Sequence, residues 1–494
     1  MTATDYRMLI DGQRVGAESG DRATAINPYT AEEFAAFPDA GASDVDAAVT
    51  AARTAFEREW RAVPGVRRAE LLNRLASLLE DDADRLGALE SRDNGKLLRE
   101  TTSQIRFAAR NYRFFAGYAD KLGGRTVPLD SPDTFDYTIA EPVGVAALIT
   151  AWNSPMQLLA NKLAPALAAG NCVVVKPSEH ASVTTLELAD LVTRAGFPPG
   201  VVNVVTGGTR AGIALSEHPG LDRISFTGSV PTGRAIAEAA ARNVVPTTLE
   251  LGGKSPNIVF ADADVERAIV GAVAGIFAAG GQTCIAGSRL LVQRSVYERV
   301  VEGVAERARA IRLGDPLLPE TQLGPLANRP HYERVRAAIE TGVSAGARPV
   351  AGMDSAAQSP SSTAGFFVPP TVFADVHNSS RLAREEVFGP VLSVIPFADD
   401  EEAVAIANDS DYGLAAGIWT NDLTRAHTVA KRLVAGTVWV NTYRASAAQA
   451  PFGGTRKSGY GRERGEEALQ EYLTTKNVLI DLSGTTPDPF SIRT

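Results

Sequence analysis

Hydrophobic and polar positions alternate in two textures along this chain. Near the N-terminus Val45, Ala48, Val49 and Ala52 recur at helical spacing, which predicts a helix over about 44–56. The same periodicity predicts helical regions over about 67–92 and 102–122. The stretch 125–141 differs: Thr, Val, Phe, Tyr and Ile are scattered among Pro and Asp, as in a two-stranded excursion. From residue 143 short apolar runs at 145–150, 172–176, 201–205 and 223–227 read as buried parallel strands. Helical stretches at about 156–169, 184–195 and 231–242 separate them. A second alternating series starts near 256–260 and runs past 440. The prediction is an α/β chain of at least two lobes, with ligand crevices at the carboxyl ends of the strands. A Ser-, Ala- and Gly-rich stretch at 351–365 reads as an exposed loop.

Composition narrows the function classes. The length of 494 residues suggests two to four domains. With 49 basic and 58 acidic side chains the net charge is −9, which argues against general nucleic-acid binding. The two cysteines, Cys172 and Cys284, cannot build a disulfide framework or a four-thiolate zinc site. The five histidines are scattered without metal-ligand spacing, so no metal site is predicted. The first residues lack the basic and apolar regions of a signal peptide, and the weakly polar stretch 268–279 is too short to span a bilayer. A cytoplasmic protein without membrane or nucleic-acid partners is the expectation.

Five positions carry candidate chemistry, each with a plainer alternative. Cys284 lies in Gly280-Gly281-Gln282-Thr283-Cys284, where glycines admit a substrate to a thiol; the alternative is a buried structural cysteine, which suits Cys172 in its apolar strand. Glu250, between two leucines and before Gly252-Gly253, suits a general base of raised pKa; the alternative is a salt bridge to Lys254 or an arginine. Asn153 follows a strand and opens a helix, where its amide could donate to an oxyanion or simply cap the helix. Lys176-Pro177-Ser178-Glu179 ends a strand where a dinucleotide's adenosine ribose would lie, or forms a solvated loop. Thr227-Gly228-Ser229 offers backbone N–H groups and a helix dipole to a pyrophosphate, or is a generic glycine turn.

Together these segments resemble the NAD(P)-dependent aldehyde dehydrogenase superfamily. The resemblance rests on Trp152-Asn153, Lys176-Pro177-Ser178-Glu179, Phe226-Thr227-Gly228-Ser229, Glu250-Leu251-Gly252-Gly253-Lys254 and Gly281-Gln282-Thr283-Cys284. Glu386-Val387-Phe388-Gly389-Pro390 and Pro451-Phe452-Gly453-Gly454 extend it, so the match covers about residues 8–480. It implies a Rossmann-like cofactor domain, a second α/β catalytic domain and a small β oligomerisation arm. The implied division is 1–123 and 143–252 for the cofactor, 253–440 for catalysis, and 124–142 with 470–494 for the arm. Residues 441–469 would anchor the substrate tunnel and return to the cofactor domain.

The resemblance also implies roles. Cys284 would be the nucleophile, Asn153 with the Cys284 N–H the oxyanion donors, and Glu250 the activator of water. Lys162 and Glu463 match proton-relay positions. NAD would be held by Trp152, Lys176, Ser178, Glu179, Gly228, Ser229, Leu251, Glu386 and Phe388. Glu179 favours NAD over NADP, because a carboxylate repels a 2′-phosphate. The aldehyde would meet Ser154, Gln157, Leu158, Asn161, Thr283, Ile285, Arg444, Ser446 and Phe452. Departures from the family pattern include Ala151, where Pro is common, and polar residues at Ser154, Gln157, Asn161 and Ser446. They predict a wider, more polar tunnel for a functionalised aldehyde, with Arg444 available to a carboxylate or to a structural salt bridge. A CoA-acylating semialdehyde dehydrogenase is the alternative, against which Glu250 argues. The family further implies a homo-oligomer, a tetramer ahead of a dimer, with 474–482 as a strand added to a neighbour.

Overall fold

The computed structural model describes residues 4–353, 364–485, 488 and 490. Five apolar runs form a parallel core in the order Thr247–Glu250, Arg223–Thr227, Val145–Ile149, Cys172–Lys176, Val202–Val204. The first of these in the chain, Val145–Ile149, lies at the centre, and the chain winds outward in both directions. The carboxyl ends of Val145–Ile149 and Arg223–Thr227 therefore diverge and leave a crevice between them. Every residue of these two strands is buried, which explains why they read as continuous apolar runs rather than as alternation. Met8–Ile10 and Gln13–Val15 extend one edge of this sheet antiparallel. Gly459–Tyr460, from far down the chain, closes the other edge beside Thr247–Glu250.

A second sheet, entirely within 253–440, runs Arg348–Ala351, Thr371–Ala374, Val391–Phe397, Arg289–Gln293, Pro256–Val259, Ala415–Trp419, Thr437–Val440. It is parallel except at Arg348–Ala351. Separate apolar clusters pack on its two faces, so it has a core independent of the first sheet.

Several predicted elements differ in detail. The helical region expected over 67–92 is two helices, Gly65–Asp81 and Ala83–Asn94, broken at Asp82. The next helix is Leu98–Ala116, one turn earlier than its periodicity suggested. A short helix Thr209–Ser216 was not anticipated. The excursion contains one long strand, Thr134–Pro142, with only an isolated bridge from Thr126 to Tyr137. Its partner is the distant strand Leu473–Asp481, paired antiparallel along its full length. Sequence pattern shows that both are extended but carries no signal for a pairing so remote. Of the loop expected over 351–365, residues 354–363 lie outside the described residues, as does most of the tail beyond 485. Among the described residues no helix is long and apolar enough to cross a membrane.

Candidate active site

The apolar helix Val265–Phe277 delivers the chain into a tight turn at Ala278–Gly281, where Ala279, Gly280 and Gly281 have φ of 56, 64 and 70°. Glycine is required at 281 for space as well as for its dihedral. A methyl there would stand 2.1 Å from the carbonyl oxygen of Gly389. Cys284 emerges from this turn half-buried. Burial, followed by the charges of Glu386, Glu250 and Glu463, pushes its thiol up to about 12, with Arg464 opposing. Cys172 is fully buried in its strand, where burial raises its thiol as well.

Asn153 comes from the other lobe, on the loop after Val145–Ile149. Its Nδ2 donates to the Gln282 carbonyl at 2.9 Å, which ties it to the loop of Cys284. It does not cap the following helix Pro155–Ala169; Ser154 stands at that position, without a side-chain capping bond. Glu250, the last residue of its strand, is 2% exposed. Neither of its carboxylate oxygens has a partner among the described residues. The expected alternative, a salt bridge to Lys254 or an arginine, is absent there. Burial first, and then the charge of Glu463, holds the Glu250 carboxyl well above the usual range. A methyl on Gly253 would lie 2.4 Å from the Cys284 carbonyl oxygen, so the segment after Glu250 also packs directly on the Cys284 loop.

Lys162 and Glu463 form an ion pair, 0% and 3% exposed. Lys162 Nζ also donates to Ser225 Oγ at 3.1 Å. Asn161 Nδ2 donates to Glu463 Oε2 at 3.2 Å, and Asn161 Oδ1 accepts from Asn111 and from Arg464 Nε. At 1% exposure Asn161 is a buried junction of this network.

A cavity of about 770 Å³ opens at the crevice between the diverging strands and is lined by Trp152, Lys176, Ser178, Glu179, Gly228 and Ser229. That volume and this mixture of apolar walls and a few polar groups suit a cofactor. Ser229 caps the helix Val230–Arg242, whose N-terminus faces the cavity. A methyl on Gly228 would strike the Phe226 ring at 2.3 Å, so the turn requires glycine. Thr227 Oγ1 is buried there without a partner among the described residues. Leu251 packs instead against Gly233 of that helix. Glu386 lies toward Cys284: its Oε1 accepts from Gly253 N at 2.9 Å, and burial pushes its carboxyl up to about 7. Phe388, at φ 58°, meets Trp152 edge-on at 5.4 Å.

The expected aldehyde-facing residues separate into two groups. Gln157, Leu158, Thr283, Ile285, Arg444 and Phe452 are partly open. Arg444 Nη1 is buried without a partner among the described residues, and its backbone has φ 66°. Ser154, by contrast, is buried, accepting from Lys96 Nζ at 2.9 Å and donating to the Asn153 carbonyl at 2.7 Å. Ser446 accepts from Arg464 Nη1.

Sequence reasoning missed Lys96, Glu100, His331, Arg334 and Arg464. Arg464 is buried between the rings of Phe107 and Phe452, at 5.1 and 5.2 Å. Its position directly after Glu463 was the available signal. Arg334 lines the large cavity and donates to His331 Nδ1 at 2.8 Å. Since an arginine can only donate, the His331 proton is on Nε2, which donates to the Phe388 carbonyl at 2.7 Å. Burial keeps that imidazole neutral, its pKa lowered to about 4. No spacing links residues 331 and 334 to 388, so neither was legible.

Comparison with known proteins shows the family. The aldehyde dehydrogenase family model matches residues 15–478. A (Z)-2-((N-methylformamido)methylene)-5-hydroxybutyrolactone dehydrogenase of Acinetobacter baylyi is 44% identical, over 99% of both chains. The crystal structure of an NAD-dependent aldehyde dehydrogenase from Sinorhizobium meliloti superposes with a TM-score of 0.95 at 39% identity, covering 99% of this chain and 97% of that one. A Staphylococcus aureus betaine aldehyde dehydrogenase in complex with NAD+ does so with 0.96 at 37%, covering 98% and 96%. The chain belongs to the aldehyde dehydrogenase family and is an aldehyde-oxidising enzyme.

Proposed function

We propose that this enzyme oxidises a polar or functionalised aldehyde to its carboxylic acid with NAD, using Cys284 as nucleophile. The observation that carries the reading is the interlocking of three loops: Asn153 is bonded to the Cys284 loop, and the segment after Glu250 packs against the Cys284 carbonyl. Cys284 Sγ attacks the aldehyde carbon, and its proton leaves for Glu250 or water. The resulting thiohemiacetal oxyanion is met by the Asn153 amide and the Cys284 N–H. NAD, when bound, would supply the acceptor for the hydride that leaves the thiohemiacetal carbon. The Cys284 thioester that remains is hydrolysed by water whose proton passes to Glu250. Glu250 suits this because burial, and then the charge of Glu463, raises its carboxyl well above the usual carboxylate range and so makes it a stronger base, and Lys162 with Glu463 offers a proton an onward path.

The cavity supports Lys176, Ser178 and Glu179 as the adenosine-ribose site and Gly228-Ser229 as the pyrophosphate site. Trp152 lines the same crevice, and Leu251 would hold the helix behind Ser229. Glu386 and Phe388 would hold the nicotinamide end. Glu179 favours NAD, with NADP a weaker alternative. For the substrate, the buried Nη1 of Arg444 and the polar Gln157 and Ser446 support a hydroxylated, amide-bearing or carboxylated aldehyde. The Acinetobacter relative, named for an amide-bearing hydroxybutyrolactone, points the same way. We assign 1–123 and 143–252 to the cofactor domain, 253–440 to the catalytic domain, 441–469 to the tunnel anchor and return, and 124–142 with 470–494 to an oligomerisation arm. The arm's exposed Phe135 and Leu479 support a homo-oligomer, tetramer ahead of dimer. The protein is assigned to the cytoplasm. A panel of aldehydes assayed by NADH formation, with and without CoA, tests the reading. CoA-dependent turnover, or full activity of Cys284→Ser, would overturn it.

A further inference from the structure

Asn153 and Cys284 stand on different lobes, and an oxyanion site needs both donors aimed at one point. We propose that Lys96, on the short link between the helices Ala83–Asn94 and Leu98–Ala116, and Glu100, in the first turn of the second, are positioning residues that hold the Asn153 loop and the Cys284 loop in register. The proposal rests on the reading of Cys284 and Asn153 given above.

The helix Ala83–Asn94 ends at Gly95 with φ 77°, and a methyl there would lie 2.9 Å from both Pro28 Cγ and the Pro325 carbonyl oxygen. Only glycine lets the segment pass between those walls. The passage turns Lys96 inward to 4% exposure. Its Nζ donates to Ser154 Oγ at 2.9 Å and Gln104 Oε1 at 2.8 Å, and Ser154 Oγ donates to the Asn153 carbonyl at 2.7 Å. About one helical turn on, Glu100 Oε1 accepts from Ala279 N at 2.9 Å, in the left-handed turn that launches Cys284. The Asn153 bond to the Gln282 carbonyl closes the circuit. Lys96, Ser154, Asn153, Gln282, Ala279 and Glu100 thus form a ring that crosses the lobe boundary twice.

Burying the Lys96 ammonium beside a half-buried Glu100 that does not pair with it is a poor way to gain stability, because desolvation is left largely uncompensated. Glu100 Oε2 is even left without a partner among the described residues. Such a ring is better explained by the register it imposes. A donor displaced by about 1 Å costs on the order of a hundredfold in rate, so small slippage is costly.

The test compares two rates on the purified full-length enzyme: kcat/KM for aldehyde oxidation, and alkylation of Cys284 by iodoacetamide, which develops no oxyanion. Lys96→Met is expected to lower kcat/KM roughly ten- to hundredfold while alkylation and NAD affinity stay within about threefold of wild type. Ser154→Ala cuts the same bond from the other side and should match it, which keeps the test decisive if Lys96→Met does not fold. Glu100→Ala should join them, while Glu100→Gln, which keeps an acceptor for Ala279 N, should recover most of the rate. Unchanged kcat/KM in Lys96→Met or Ser154→Ala, or equal losses of oxidation and alkylation, overturns the positioning role alone. A Cys284→Ser control that retains activity overturns the thiol reading on which it rests.

Discussion

Glu250 and Gly453 stand wall to wall: a methyl on Gly453 would lie 2.7 Å from Glu250 Oε1. The bare backbone leaves the carboxylate space beside it, and neither oxygen is fixed by a hydrogen bond among the described residues. A base held this way can take a proton from water without first breaking a contact. Glu250→Gln should therefore spare the oxidative half-reaction and stall hydrolysis. Rapid-quench kinetics should show a burst of NADH near one equivalent per active site, followed by a steady rate lowered roughly 10²–10³-fold. A proportionate loss of burst and steady rate would refute the assignment.

Glu463 raises the Glu250 carboxyl, and Lys162 lowers it. Glu463→Gln removes the repulsion and frees Lys162 from its partner, and both changes favour ionised Glu250. An ionised base is the active form, so the acidic limb of the kcat profile should move to lower pH. The plateau should fall as well, because the change breaks the proposed relay. A shift to higher pH would show that Glu250 does not define that limb.

Glu179 lines the large cavity and accepts from Ser178 Oγ at 3.4 Å. Replacing it with glutamine removes a negative charge from the expected 2′-hydroxyl site. The ratio of kcat/KM for NADP to that for NAD should rise about tenfold. An unchanged ratio would move the discrimination elsewhere.

Arg444 is the sharpest handle on substrate class. Arg444→Met should raise KM for carboxylated aldehydes roughly tenfold or more, the worth of one charge-assisted hydrogen bond. Neutral alkanals should change little. Equal effects on both classes would assign Arg444 to structure.

On the arm, Leu479 is 59% exposed and Phe135 is 44% exposed. Leu479→Asp places a charge on this exposed apolar position, and sedimentation should show a smaller particle than wild type. An unchanged sedimentation coefficient would place the interface on another surface.

The parallel strands were legible because full burial makes them unbroken apolar runs; Glu250 ends one of them and Asn153 follows another, whereas Cys284 stood out by its glycine neighbours, in a loop after the helix Val265–Phe277. Thus Cys284, Glu250 and Asn153 stood out as candidates, and the structure added that two of their loops contact the third. Other features depend on pairings that no local pattern encodes. The strands Thr134–Pro142 and Leu473–Asp481 were both visible as extended segments, whereas their pairing with each other was not. Asn161 and Ser154 share a helix face with Gln157 and Leu158, and periodicity alone put all four along one wall. Burial separates them, since Asn161 faces Arg464 and Glu463 while Ser154 faces Lys96. Those three partners lie far off in sequence.

The Lys162–Glu463 pair also constrains how the protein is made. The two residues are 301 positions apart, so Lys162 leaves the ribosome long before its counter-charge exists. At about 5–20 residues per second the wait is roughly 15–60 s. During that interval the helix Pro155–Ala169 must either keep an ammonium in water or bury it uncompensated. The first sheet is likewise open at one edge until Gly459–Tyr460 arrives. Final closure of the cofactor-side lobe is thus a late event, and a nascent chain cut short before residue 459 would expose an unfinished edge to chaperones and proteases.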